Sequence, residues 1–178
     1  HVIDALENHE TDLNIKEHYT DTAGFTDHVF AFTVLLGYNF APRIRDLFKL
    51  KLFSIGPIDD FGHVNSLIKD RIDTQLIEDN WDEILRAAAS IRHGTTSASL
   101  LMRKLASYPK QNQLAKALAE MGKIERTIFL LQWLQDPKMR RRTMIGLNKG
   151  EHVNAVQKVL FFGRRGEFWD RKFEDQCN

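Results

Sequence analysis

A single cysteine, Cys177, stands among 178 residues. One thiol cannot build a disulfide framework or a multi-cysteine zinc site, and its isolation fits a reducing compartment. No apolar run approaches the roughly 20 residues that a membrane-spanning helix needs, and no signal peptide opens the chain. A soluble, cytoplasmic protein without a membrane partner is therefore expected. Also missing are a GxxxxGK[ST] nucleotide loop, an HExxH zinc helix and a GxSxG nucleophile elbow. No small-molecule substrate is expected. The seven histidines are scattered; His9, His18 and His28 are the set that folding could gather, and a ligand cluster is the less common fate of such residues. There is no internal repeat and no low-complexity tract.

What is present is an ordinary globular composition, 43% hydrophobic and 28% charged. The length suits one domain, or a compact core with an inserted lobe. The net charge of +1 hides a segregation. Residues 1–83 hold 16 acidic and 7 basic side chains, a balance of −9; residues 84–178 hold 8 acidic and 18 basic, a balance of +10. A basic, Arg-rich half commonly faces an anionic polymer. The chain opens on His1 without an initiator methionine, so a piece of a longer protein is expected.

Val2, Ile3 and Leu6 have helical spacing. Leu13, Ile15 and Tyr19 share a parity that Glu17 interrupts, which predicts a strand running toward Asp21. After a turn at Thr22-Ala23-Gly24, Thr26 can cap a helix buried through Val29, Phe30, Phe32, Val34 and Leu36, with Gly37 as its left-handed terminator. Tyr38–Ala41, ended by Pro42, predicts an edge strand, and Lys51–Ile55 a second short one. From about Leu67 to Phe162 the pattern is helical: 76–91, 98–108, 114–121, 124–135, 138–145 and 148–162, with breaks at Gly94, Pro109, Gly122, Asp136-Pro137 and Gly146. Strand, helix and strand at the start imply an α/β sheet with too few strands to close, so the first strands are expected before His1.

Two carboxylates merit attention. Asp21 falls at a strand end, where α/β proteins place ligands and metals, although capping a turn explains it equally simply. Glu151 is expected in the first turn of a helix whose Val153, Val156, Val159 and Leu160 form a packing stripe. A favourable dipole contact is the simple explanation there, and a metal ligand the functional one. Asp27 is explained as first-turn helix chemistry.

The segment Glu17-His18-Tyr19-Thr20-Asp21-Thr22-Ala23-Gly24-Phe25-Thr26-Asp27-His28 resembles the second-aspartate motif of the Tn-three family of replicative transposases. Matching stretches come after it in the same order. They include Gly37-Tyr38-Asn39-Phe40-Ala41-Pro42-Arg43, Trp81-Asp82-Glu83-Ile84-Leu85-Arg86, Lys123-Ile124-Glu125-Arg126-Thr127, Trp133-Leu134-Gln135-Asp136 and Gly146-Leu147-Asn148-Lys149-Gly150-Glu151. The likeness covers nearly the whole chain; it departs at Ala23, His152 and Asp175, and is poor over 59–73.

That resemblance implies an α/β, partial RNase H-like fold with its first strands missing and a large, mainly helical insertion before the glutamate-bearing helix. By position Asp21 is the second catalytic and metal-binding acid and Glu151 the third, 130 residues apart, with the first aspartate upstream of His1. The implied division is a partial core over 1–57, a helical insertion over 58–146, and the glutamate helix with its following segment over 147–178. The implied function is Mg²⁺-dependent cleavage of transposon 3′ ends and strand transfer to target DNA by two ions, with Mn²⁺ as a substitute, in a self-associating bacterial complex at the nucleoid. This chain alone would be inactive. Oxygen donors suit Mg²⁺, and two such ions activate the attacking oxygen and stabilise the leaving one. The competing interpretation is a non-catalytic helical module that binds DNA or assembles the complex.

For the DNA surface, Arg140, Arg141 and Arg142 with Lys138 form the densest basic run, continued by Lys149, Lys158, Arg164 and Arg165. Trp81, Trp133 and Trp169 fit core packing better than base stacking.

Overall fold

The structure, a computed structural model, describes residues 2–7, 15–21, 26–46, 51–107 and 112–160. Helix α1 (Val2–Glu7) precedes strand β1 (Glu17–His18), helix α2 (Asp27–Leu35) and strand β2 (Asn39–Phe40). β1 and β2 are parallel, with Glu17 opposite Asn39 and His18 opposite Phe40. Parallel neighbours need a crossover, and α2 is that crossover. Thr26, in an extended conformation, accepts the Val29 amide at its N-terminus, and Gly37 at φ +82° lets the chain turn back after it. Backbone bonds from Asn39 to Lys16, Ala41 to His18 and Arg43 to Thr20, at 2.8–3.0 Å, carry the ladder to the residue before Asp21.

A second parallel pair joins β3 (Leu52–Ser54) to β4 (Ile68–Arg71) across a 3₁₀ segment, Ile58–Leu67. The expectation of an almost wholly helical chain from about Leu67, with its first helix at Leu76, missed a strand: Ile68 to Arg71 pair with β3. Helices α3 (Thr74–Asp79), α4 (Trp81–Arg92), α5 (Ala98–Ser107), α6 (Gln113–Gln135) and α7 (Pro137–Leu160) complete the order. The helix expected over 76–91 is divided at Asn80, whose side-chain amide donates to the Leu76 carbonyl at 2.9 Å. That carbonyl would otherwise accept the Asn80 backbone amide in a continuous helix.

The largest correction concerns two glycines. Gly122 and Gly146 were expected to end helices, yet they lie inside the continuous α6 and α7. A glycine in a helix interior costs about 1 kcal/mol relative to alanine, a penalty that tertiary contact can outweigh. A Cβ on Gly122 would overlap the backbone of Asp27, and one on Gly146 would overlap the ring of Tyr19. Both glycines are contact points. The stop between α6 and α7 falls where expected, at Asp136-Pro137, and the Asp136 carboxylate accepts the Lys138 amide at 2.8 Å.

The core forms two clusters, and α2 serves both. Phe32 and Leu36 pack with Ile3, Phe53, Ile84 and Leu118, while Val29 and Phe30 pack with Phe40, Phe129, Leu130 and Trp133. Phe30 meets Phe40 edge-on at 5.0 Å and Phe129 at 5.6 Å. α2 is thus buried nearly all round, except at Val34, which was expected inside and is 40% exposed. Trp133 is buried as expected; Trp81 opens α4 and is 42% exposed, outside the expected core. Trp169 lies outside the described residues. The molecule is mixed α/β, mostly helical with two small parallel sheets. Among the described residues no helix is long and apolar enough to cross a membrane.

Candidate active site

β1 is short, yet its two side chains and that of Tyr19 just beyond it all reach defined partners. Glu17, which interrupts the apolar alternation, is gripped by Arg142 of α7: Nε donates to Oε2 and Nη2 to Oε1, both at 2.9 Å. The Tyr19 hydroxyl donates to the same Oε2 at 2.5 Å. These contacts hold the Glu17 carboxyl below its ordinary range, the Arg142 bonds acting most strongly. Burial, then the neighbouring Glu17, pushes the Tyr19 phenol up, and the bond to Glu17 raises Arg142. His18 faces the other way, its ring stacked on Phe40 at 6.2 Å, and burial pushes its imidazole down.

Asp21 comes directly after the last ladder bond and is exposed at the C-terminal end of β1. Glu151 is exposed on α7. Its expected place in a first helical turn is corrected: α7 begins at Pro137 and passes through Gly146, so Glu151 lies in the helix interior. A dipole contact falls off within the first turn and does not account for an acid there. The stripe beyond it was expected to pack; instead Val153 and Val156 are each 57% exposed and Val159 74%. In α7 only Met139 and Thr143 are buried.

The basic run divides by position. Arg140 is half-buried and donates to the carbonyls of Trp133 and Leu134, at 2.5 and 3.0 Å, closing the end of α6. Arg142 is held by Glu17. Arg141, Lys149 and Lys158 are exposed, with Lys138 beside them in chain order. Arg164 and Arg165 lie outside the described residues. Asp27 sits in the first turn of α2 and pairs with Arg126 at 2.7 Å. A cleft of about 540 Å³, lined by Glu17, Phe30, Phe40, Glu125, Met139 and Arg142 among others, contains neither Asp21 nor Glu151. Burial pushes the Glu125 carboxyl up.

Sequence reasoning missed Glu17, Tyr19 and Gly146. The signal available for Glu17 was its intrusion into an alternating strand; nothing in the chain flagged a partner 125 residues away.

Among the described residues no group of three or more His, Cys, Asp or Glu gathers to hold a metal ion. Asp21 and Glu151 offer carboxylate oxygens, the donor type a hard divalent cation takes, so they fit such an ion in kind but not in number.

The domain is mixed α/β, with one exposed carboxylate, Asp21, just beyond a parallel strand and another, Glu151, on α7; the carboxyl ends of parallel strands are where α/β proteins commonly gather ligands. The model of the family described as the Tn3 transposase DDE domain matches residues 1–178. Similar proteins include the transposase for transposon Tn2501 from Escherichia coli, 56% identical over 99% of this chain and 18% of its own length. The transposase for transposon Tn1546 from Enterococcus faecium is 52% identical over the same shares. The transposase for transposon gamma-delta from Escherichia coli K12 is 36% identical over 98% of this chain and 18% of its own. This chain belongs to the Tn3 transposase DDE domain family, and it spans about 18% of the length of these curated relatives.

Proposed function

We propose that this chain supplies two of the three catalytic carboxylates of a DNA transposase, Asp21 and Glu151, for Mg²⁺-dependent cleavage of transposon 3′ ends and strand transfer in replicative transposition. The observation that carries the reading is the match of the whole chain to the Tn3 transposase DDE domain, with Asp21 and Glu151 both exposed; the contacts between β1 and α7 bear on their relative height. β1 and α7 advance in step: Arg142 meets Glu17 and, four residues on, Gly146 meets Tyr19, two residues on. Four helical residues rise about 6 Å and two strand residues about 6.6 Å. Continuing both, Asp21 comes level with Gly150, about 6 to 7 Å beyond the last contact, while Glu151 lies about 140° round α7 from Gly146, so the two acids share a height along the helix and not a face. A Cβ on Gly150 would meet nothing within 4 Å, so space is open beside Glu151.

In this reading β1, α2 and β2 are part of an RNase H-like sheet over 1–57, residues 58–146 are a helical insertion, and 147–178 hold the glutamate-bearing helical segment and the C-terminal residues after it. The first acidic ligand comes from outside these residues, so the chain by itself is inactive. When bound, divalent ions supply activation of the attacking oxygen and stabilisation of the leaving one; Mn²⁺ can replace Mg²⁺. Asp21 presents its carboxylate from the sheet edge, and Glu151 from the helix alongside. Lys138, Arg141, Lys149 and Lys158 lie exposed on the same helix as Glu151 and hold transposon-end and target DNA through phosphates, with Arg164 and Arg165 assigned from sequence alone. Arg140 and Arg142 serve protein partners first. The active complex self-associates and works in the bacterial cytoplasm at the nucleoid.

The test is Glu151→Gln and Asp21→Asn in the full-length transposase. Both variants should bind transposon-end DNA normally and lose metal-dependent 3′ cleavage. Wild-type cleavage by either would remove that residue from the site and, for both, favour the assembly-module reading.

A further inference from the structure

The parallel ladder runs on past its paired residues. Ala41 and Arg43 donate their amides to the His18 and Thr20 carbonyls, at 2.9 and 2.8 Å. His18 lies opposite Phe40, and three residues further along both chains the same register sets Asp21 opposite Arg43. Side chains alternate along a strand, so Asp21 shares a face with Glu17 and Tyr19, and Arg43 shares it with Asn39 and Ala41. That is the face α7 covers, since Arg142 meets Glu17 and Gly146 meets Tyr19; His18 and Phe40 stack on the other. The alternation persists beyond β2, with Ile44 buried between the half-buried Arg43 and the exposed Arg45. We propose that Arg43 binds the scissile phosphate of the DNA strand presented to Asp21, through a two-point guanidinium contact. This rests on the reading of Asp21 as a catalytic acid.

The chemistry of the sheet edge calls for such a cation. Asp21 is exposed and makes no ion pair among the described residues, so its carboxylate is open to an incoming group. A carboxylate repels a phosphodiester, and a positive charge beside it offsets that repulsion. Neighbouring strands lie about 4.8 Å apart, which puts a phosphate at Asp21 within one side chain's length of Arg43. Arginine suits the position. Its planar fork meets two phosphate oxygens at once, and it stays charged at any working pH. Half-burial restrains its stem, so less rotamer freedom is lost on binding. The exposed cations of α7 stand on a helix, whereas Arg43 stands on the sheet itself, one strand from Asp21.

The test uses the full-length transposase and two transposon-end duplexes, one with the natural phosphodiester at the cleavage position and one with an uncharged methylphosphonate there. Arg43→Gln should lower affinity for the natural duplex by about 10-fold or more and reduce the slope of log affinity against log salt by about one. On the methylphosphonate duplex the same substitution should change affinity little, because the charge it would have met is gone. Arg141→Ala, on α7, should weaken both duplexes equally. Equal losses on the two duplexes with Arg43→Gln, or no loss on either, would overturn the proposal. If Arg43→Gln does not fold, Arg43→Lys decides: it keeps the charge without the fork, so the salt slope should stay and cleavage at saturating DNA should slow. A wild-type rate in Arg43→Lys would then overturn the two-point contact. Normal cleavage by Asp21→Asn would instead overturn the reading of Asp21, whatever the Arg43 variants do.

Discussion

The backbone of Asp27, at the start of α2, lies directly over Gly122 in α6, in the space that a Cβ on Gly122 would fill. One turn further along α6, Arg126 reaches back to the Asp27 carboxylate at 2.7 Å. The glycine brings the two helices together and the ion pair orients them.

Alanine at position 122 should therefore destabilise the chain. Better helix propensity would gain about 1 kcal/mol. Inserting a methyl group against rigid backbone costs about 1–3 kcal/mol or more, and backbone cannot swing aside as a side chain can. Gly150 is the control: it is helical with open space around it, so Gly150→Ala should gain up to about 1 kcal/mol. Denaturant midpoints of the two variants should move in opposite directions.

Phe32 has no exposed surface and packs in the cluster that joins α2, α4 and α6. Phe32→Ala should cost about 3–5 kcal/mol, read as a lower denaturant midpoint at constant slope. Val34→Ala, two residues away and 40% exposed, should cost much less.

His18 gives the chain a pH dependence. Burial lowers its folded-state value below the ordinary 6.5, so below pH 6.5 the unfolded chain takes up a proton that the folded one resists. Stability is then full above the ordinary value and falls as the pH drops toward the folded one. Melting temperatures measured from slightly alkaline to mildly acidic pH should show this decline, and His18→Phe should flatten it. An unchanged profile in that variant would assign the decline to other groups.

Arg141 is exposed on α7 and makes no ion pair among the described residues. Arg141→Ala should weaken DNA binding at low salt and reduce the slope of log affinity against log salt by about one, the signature of one lost phosphate contact. The melting temperature should stay the same. A normal slope would take Arg141 out of the DNA surface.

Local chemistry in the chain determined a good deal of this protein. Thr26 and Gly37 bounded α2, Asp136-Pro137 divided the two long helices, and the parity of Ile15 and Tyr19 pointed to the strand that ends before Asp21. Caps, turns and periodicity act over a few residues, and so they can be read in order along a sequence. The motif around Asp21 and Glu151 was also legible there, and the family it pointed to is the one the chain belongs to.

Tertiary structure decided the rest. Gly122 and Gly146 are helix breakers by propensity and helix interior by contact, because the neighbour each admits lies far away in sequence. Val153, Val156 and Val159 have the spacing of a buried face and stand in solvent, since periodicity shows which residues share a side but not whether anything covers it. Glu17 looked like a flaw in a strand and proved to be the anchor for Arg142. An ion pair across 125 residues leaves no trace in local pattern, because its geometry exists only once helix and strand have met.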